Sequence, residues 1–85
     1  MTTFEHKMMI IMSQGETPAQ EMYDEARDDS RVRRTLKLLQ ERGWVEHTGS
    51  HKMDDGPGAP MKHYSLTESG MLVLQNHEEE LESLR

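Results

Sequence analysis

Hydrophobic positions along the chain change period from block to block, and each block predicts an element. In FEHKMMIIM, Phe4, Met8 and Ile11 recur at i, i+4 and i+7, which predicts a first helix over residues 3–13. Met9 and Ile10 leave that face, so the helix is apolar around most of its circumference and a second contact surface is expected. Gln14, Gly15 and Glu16 break the pattern. Thr17-Pro18-Ala19-Gln20 then offers an N-cap, a proline at the first helical position and a glutamine at the third, which predicts a helix start at Thr17. Ala19, Met22, Tyr23 and Ala26 line one side of this second helix, which ends near Arg27.

Asp28, Asp29 and Ser30 form the next break, with Asp29 or Ser30 expected to cap a third helix over 30–42. At 3.6 residues per turn, Val32, Leu36 and Leu39 share one face, and Ser30, Arg33, Arg34 and Lys37 cluster opposite, with Arg31 and Leu38 on a flank. Gly43 is placed to close this helix, and Arg42 in its last turn favours the helix dipole. Residues 44–48 and 61–66 are rich in β-formers and flank the turn-rich GSHKMDDGPGAP, which predicts a hairpin. Thr67-Glu68-Ser69-Gly70 opens a final helix, along which Leu74, His77, Leu81 and Leu84 recur at spacings of three to four, the pattern of a partner-facing stripe.

Composition narrows the class. Eighty-five residues make one small domain, too short for a deep catalytic cleft. Only 33% of residues are hydrophobic, so a core shared between two copies is a reasonable expectation. The chain has no cysteine, which excludes disulfides and thiolate zinc sites and fits a reducing compartment. Its N-terminal apolar run, Met8 to Met12, is too short for a signal-peptide core or a membrane span, so a soluble cytoplasmic protein is expected.

Charge changes the picture further. Sixteen Asp and Glu against ten Lys and Arg give a net charge of −6, yet half of the cations fall between Arg31 and Arg42. A helix that enters a DNA major groove buries one face in its own domain and presents donors on the other. Residues 30–42 meet that requirement: Arg33, Arg34 and Lys37 supply donors, and the Ser30 hydroxyl with the helix N-terminal amides could take a phosphate. The blander reading is a solvated cationic face paired with acidic neighbours.

The run SRVRRTLKLLQERGWVEH, then a turn-rich loop, then HYSLTESG resembles the winged helix-turn-helix regulators of the broad MarR, PadR and ArsR type over roughly residues 4–75. The resemblance implies an α+β, mainly helical fold: a three-helix core, a two-stranded wing and a C-terminal helix. Residues 17–26 and 30–42 would be the two helices of the motif, the second as recognition helix, and 49–60 the wing. It implies a DNA-binding domain over 1–70 and a C-terminal dimerisation helix over 71–85. The residues expected at DNA are Ser30, Arg31, Arg33, Arg34, Lys37, Lys52 and Lys62; those expected at a dimer contact are Met9, Ile10, Leu74, His77, Leu81 and Leu84. Two departures stand out: the wing carries Asp54 and Asp55 beside His51 and Lys52, and Asp28 and Asp29 precede the recognition helix.

The expected function is therefore sequence-specific binding of double-stranded DNA by a homodimeric transcription regulator, a repressor by expectation. The alternative is a winged-helix protein-interaction module that does not bind DNA, which the acidic wing and the net charge favour. His47 and His51, at i and i+4, share a strand face only if the strand continues through Gly49 and Ser50, so these two and His63 are read as surface or hydrogen-bonded side chains, with no metal expected. No nucleophile motif or phosphate-binding glycine loop is present, and neither an enzyme activity, a cofactor nor a small-molecule ligand is expected.

Overall fold

The computed structural model describes residues 1–51 and 61–84, ordered as helix α1 (Thr3–Met12), strand β1 (Thr17–Pro18), α2 (Ala19–Ala26), α3 (Asp29–Glu41), β2 (Val45–His51), β3 (Met61–Leu66) and α4 (Glu68–Ser83). The three strands form one antiparallel sheet in the order β1-β3-β2. The helix and hairpin order is the expected one; the third strand is an addition to it.

Helix α1 starts in a capping box. The Thr2 hydroxyl accepts the Glu5 N–H at 3.1 Å, and the Glu5 carboxylate accepts the Thr2 N–H at 3.3 Å. Its inward face is Glu5, Met8, Met9 and Met12, rather than Phe4, Met8 and Ile11. Five consecutive apolar residues admit several azimuths, and packing selects the one that seats three methionines in the core. Phe4 and Ile11 are half-buried at its margins, and Ile10 is exposed.

Thr17 and Pro18 do not begin α2. They pair with Tyr64 and His63 of β3 as a short edge strand, where a proline lacking an N–H is tolerated. The Thr17 hydroxyl donates back to the carbonyls of Gly15 (3.0 Å) and Ile11 (3.3 Å), so it closes the α1 end rather than capping α2. Pro18 is the N-cap of α2 and makes no side-chain cap bond.

The turn from α2 to α3 runs through Arg27, at φ 55° in the left-handed region, with its N–H on the Tyr23 carbonyl at 2.8 Å. Asp28, not Asp29 or Ser30, caps α3, accepting the Arg31 N–H at 3.1 Å. At the other end Gly43, at φ 77°, donates to the Gln40 carbonyl and Trp44 to that of Leu39, both at 3.0 Å. This pair of bonds is a Schellman motif, and it turns the chain directly into β2. Strands β2 and β3 pair from Val45↔Leu66 to His51↔Met61 with a bulge at Thr48. The Thr67 hydroxyl caps α4 by accepting the Gly70 N–H at 3.0 Å.

The core joins Met8, Met9, Met12 and Met22 to Val32, Leu36 and Leu39 of α3, Val45, Tyr64 and Leu66 of the sheet, and Leu74 of α4. Unbranched thioethers fill the irregular space between helices meeting a small sheet. Two residues expected at a dimer contact are thus inside a single chain: Met9 is fully buried and Leu74 is 6% exposed. The expected boundary between residues 70 and 71 falls in the first turn of α4, whose buried Gly70 and Leu74 bind it to the rest of the fold.

Candidate nucleic-acid interface

Helix α3 is sorted as its sequence predicts. Val32, Thr35, Leu36 and Leu39 are buried, and Ser30, Arg33, Arg34 and Lys37 are exposed on the opposite side. Among the described residues, none of Arg33, Arg34 and Lys37 is ion-paired to a carboxylate. Arg34 lies along its own helix, with Nε donating to the Ser30 carbonyl at 3.4 Å. The result is a solvent-facing row of three cations on a helix that its own core holds rigid. Such a row can give bidentate contacts to guanine or phosphate from arginine and a point charge from lysine.

The flank of α3 is tied to α1, through contacts that no local pattern announces. The Arg31 guanidinium sits 4.1 Å from the centre of the Phe4 ring, a cation–π contact that draws it off the row formed by Arg33, Arg34 and Lys37. Arg42 donates to the Glu5 carboxylate at 3.2 Å and lies over Trp44 at 5.0 Å. Glu5 therefore joins the α1 cap to the end of α3, and Phe4 adds a second contact between the two helices at Arg31. Sequence reasoning missed both, because Phe4–Arg31 and Glu5–Arg42 are contacts between distant segments.

The start of α3 differs from expectation. The Asp28 carboxylate already holds the Arg31 N–H, so this helix end presents an acid where a phosphate was expected to meet free amides. Ser30 is exposed in the first turn.

On the hairpin, Lys62 is exposed and stands opposite Ser50. Lys52, with residues 52–60 of the wing tip, lies outside the described residues, as does the side chain of His51. His47 is exposed, with Nε2 3.3 Å from the Ser50 hydroxyl, and His63 Nδ1 is 2.9 Å from the Met61 carbonyl. Among the described residues no group of three His, Asp or Glu side chains is placed to hold a metal ion, and no helix is long and apolar enough to cross a membrane.

At the far side, Ile10, His77, Leu81 and Leu84 remain from the expected dimer contact. Ile10, Leu81 and Leu84 are exposed, Leu84 to 83%. His77 is half-buried, its ring edge-on to His6 at 4.7 Å between α1 and α4. Beside them a groove of about 530 Å³ runs between α1 and α4, lined by Ile10, Met71 and Leu72 among others.

No family model and no curated protein matches this sequence. Solved structures do. The chain is similar to a PadR family transcription regulator from Clostridium difficile R20291, with a TM-score of 0.82 at 16% identity, over 98% of this chain and 91% of that one. It is similar to a PadR-like transcription factor from Bacteroides fragilis at a TM-score of 0.75 and 22% identity, over 94% and 81% of the two chains. The Multiple Antibiotic Resistance Repressor, MarR, gives 0.79 at 18% identity over 98% of this chain and 58% of that protein. At these identities the likeness concerns the fold. The chain has the winged helix-turn-helix fold of these transcription regulators, with α2 and α3 as the helix pair and β2–β3 as the wing strands.

Proposed function

We propose that this protein is a cytoplasmic transcription regulator that binds double-stranded DNA sequence-specifically and represses by occupying its site. The observation that carries the proposal is the exposed row of Arg33, Arg34 and Lys37 on α3, the second helix of the pair. A protein with a net charge of −6 gains little from long-range attraction to DNA, so a few aligned cations on a rigid helix must supply the contact. That demand favours recognition at defined sites over coating of DNA. The word repressor in the name of its structural neighbour MarR supports the same outcome.

The functional unit is a homodimer. Ile10, Leu81 and Leu84 leave apolar surface on one chain that a second copy would cover, and the groove beside Met71 and Leu72 extends that surface. A two-fold dimer would set two α3 helices about one DNA turn apart, ~34 Å, and read a roughly palindromic site. Competition between random duplex and the DNA upstream of the protein's own gene, followed by footprinting, tests this reading. Protection of two half-sites about 10 base pairs apart supports it. Equal affinity for all duplexes removes the sequence-specific part, and a folded protein bound to none of them is the mark of a protein-interaction module.

A further inference from the structure

Among the described residues, three have left-handed backbone: Gly15 at φ 119°, Gly43 at φ 77° and Arg27 at φ 55°. The first two are the residue type for which this conformation is nearly free. At Arg27 the chain places a side chain with a β-carbon where glycine would be easier, in the tight turn between the two helices of the motif. A costly backbone state held by a non-glycine residue is a reason to ask what its side chain does.

The Arg27 backbone serves the turn, its N–H closing α2 on the Tyr23 carbonyl, but that leaves the side chain unaccounted for. Arg27 is exposed, and among the described residues it forms no ion pair. Acidic neighbours lie on both sides, but three of them have other partners. Asp24 accepts from the Gln20 amide at 2.7 Å, Glu25 pairs with Lys7 at 2.9 Å, and Asp28 caps α3. Other cations are engaged by the fold: Lys7 with Glu25, Arg42 with Glu5, and Arg31 over Phe4. Arg27 thus resembles Arg33, Arg34 and Lys37 in pairing with no carboxylate; its charge only adds to the lowering of the Glu25 pKa that Lys7 chiefly causes. It is three residues from Ser30, where the exposed face of α3 begins, within about 11 Å along the chain.

Resting on the DNA-binding reading above, we infer that Arg27 is a further DNA contact, meeting a backbone phosphate from the turn before α3. A turn residue lies beside the groove that α3 would enter, so it positions the helix on the duplex without reading a base. Asp28, tied to the α3 amide, leaves the phosphate to its neighbour.

Arg27→Gly separates this role from a structural one, because the substitution relieves the backbone while removing the charge. Arg27→Gly and Arg27→Lys are compared with the unaltered protein by thermal unfolding and by anisotropy titration on duplex DNA across a salt series. The inference predicts that Arg27→Gly unfolds at an unchanged or higher temperature, yet binds several-fold more weakly, with a salt slope about 0.9 shallower per contact site lost. Arg27→Lys keeps the slope. A thermal midpoint lowered by more than about 4 °C, on the order of 1 kcal/mol in a domain of this size, would assign Arg27 to the fold and overturn the inference. So would Arg27→Gly binding with unchanged affinity and slope while Arg33→Ala weakens binding. Loss of DNA binding in the unaltered protein is a different result, and it would refute the proposed function itself.

Discussion

Gly70 in the first turn of α4 packs directly on the backbone of Trp44, so that a β-carbon at residue 70 would collide with the Trp44 carbonyl. The same carbonyl accepts the Thr67 N–H at 3.0 Å, and the Thr67 hydroxyl donates to the Gly43 carbonyl at 2.5 Å. The end of α3, the start of the wing and the cap of α4 therefore meet at one point. Through it the C-terminal helix is fixed relative to the helix that would enter DNA.

Gly70→Ala tests this junction. Because the obstacle is backbone on both sides, neither rotamer change nor side-chain yielding can make room, and the substitution should cost about 3 kcal/mol, the upper end of the usual overpacking range, or more. Urea unfolding with far-UV circular dichroism reads the change. A loss under about 0.5 kcal/mol, within ordinary surface-substitution noise, would show that the approach is looser than the structure has it.

Glu5 is a second joint, linking the α1 cap to Arg42. Its side chain is 10% exposed and that of Arg42 38%, so water weakens the pair from the arginine side. Glu5→Ala removes the reciprocal half of the capping box and the Arg42 partner together, with an expected loss of about 1–2 kcal/mol of unfolding free energy. Glu5→Gln should recover part of that loss, since an amide oxygen still accepts from Thr2 and Arg42. Equal losses for the two variants would contradict the hydrogen-bonding role.

Burial raises the Tyr64 phenol above its ordinary value of 10.0, and Tyr23 adds to the shift. A group whose folded-state pKa is raised contributes stability that is fully present below the unfolded value and is lost as pH rises through the folded one. Stability should therefore fall above pH ~10 as unfolding releases this proton. In Tyr64→Phe that contribution is absent, and chemical denaturation from pH 9 to 11 should show a shallower decline. Parallel curves for the two proteins would exclude Tyr64 as a source of alkaline instability.

The parts of the fold legible in the sequence were those set by one local period. Val32, Leu36 and Leu39 opposite Arg33, Arg34 and Lys37 gave the sorted α3, Gly43 its end, and Thr67 the cap of α4. The parts that were not legible depend on distant partners. Thr17-Pro18 reads locally as a helix start, and only pairing with His63 and Tyr64 makes it a strand. The run Met8–Met12 carries no azimuth of its own, so Met9 was placed outward although the core takes it. Asp28, Asp29 and Ser30 are all good caps, and the geometry of the Arg27 turn decides among them. For the candidate site the cationic row was readable, whereas the diversion of Arg31 onto Phe4 required the fold of α1.

The exposed part of the α4 stripe predicts self-association. Leu84 is 83% exposed and Leu81 41%, so Leu84→Lys should leave the protomer fold intact, and Leu81→Lys with Leu84→Lys should break the dimer in a protein that circular dichroism still shows folded. Light scattering across a concentration series checks this. Persistence of a dimer in the double variant would place the interface elsewhere.

The central claim is that Arg33, Arg34 and Lys37 of α3 contact DNA. Its most direct test is the salt dependence of duplex binding by the unaltered protein and by the Arg33→Ala, Arg34→Ala and Lys37→Ala variants, each shown to be folded by circular dichroism. An arginine that reads a base should cost about 1–3 kcal/mol on alanine substitution and relax specificity at one position. A side chain that meets only phosphate should weaken all duplexes alike and lower the salt slope by about one. If all three folded variants bind as the unaltered protein does, with the same slope, the row on α3 is not a DNA-binding face and the account fails.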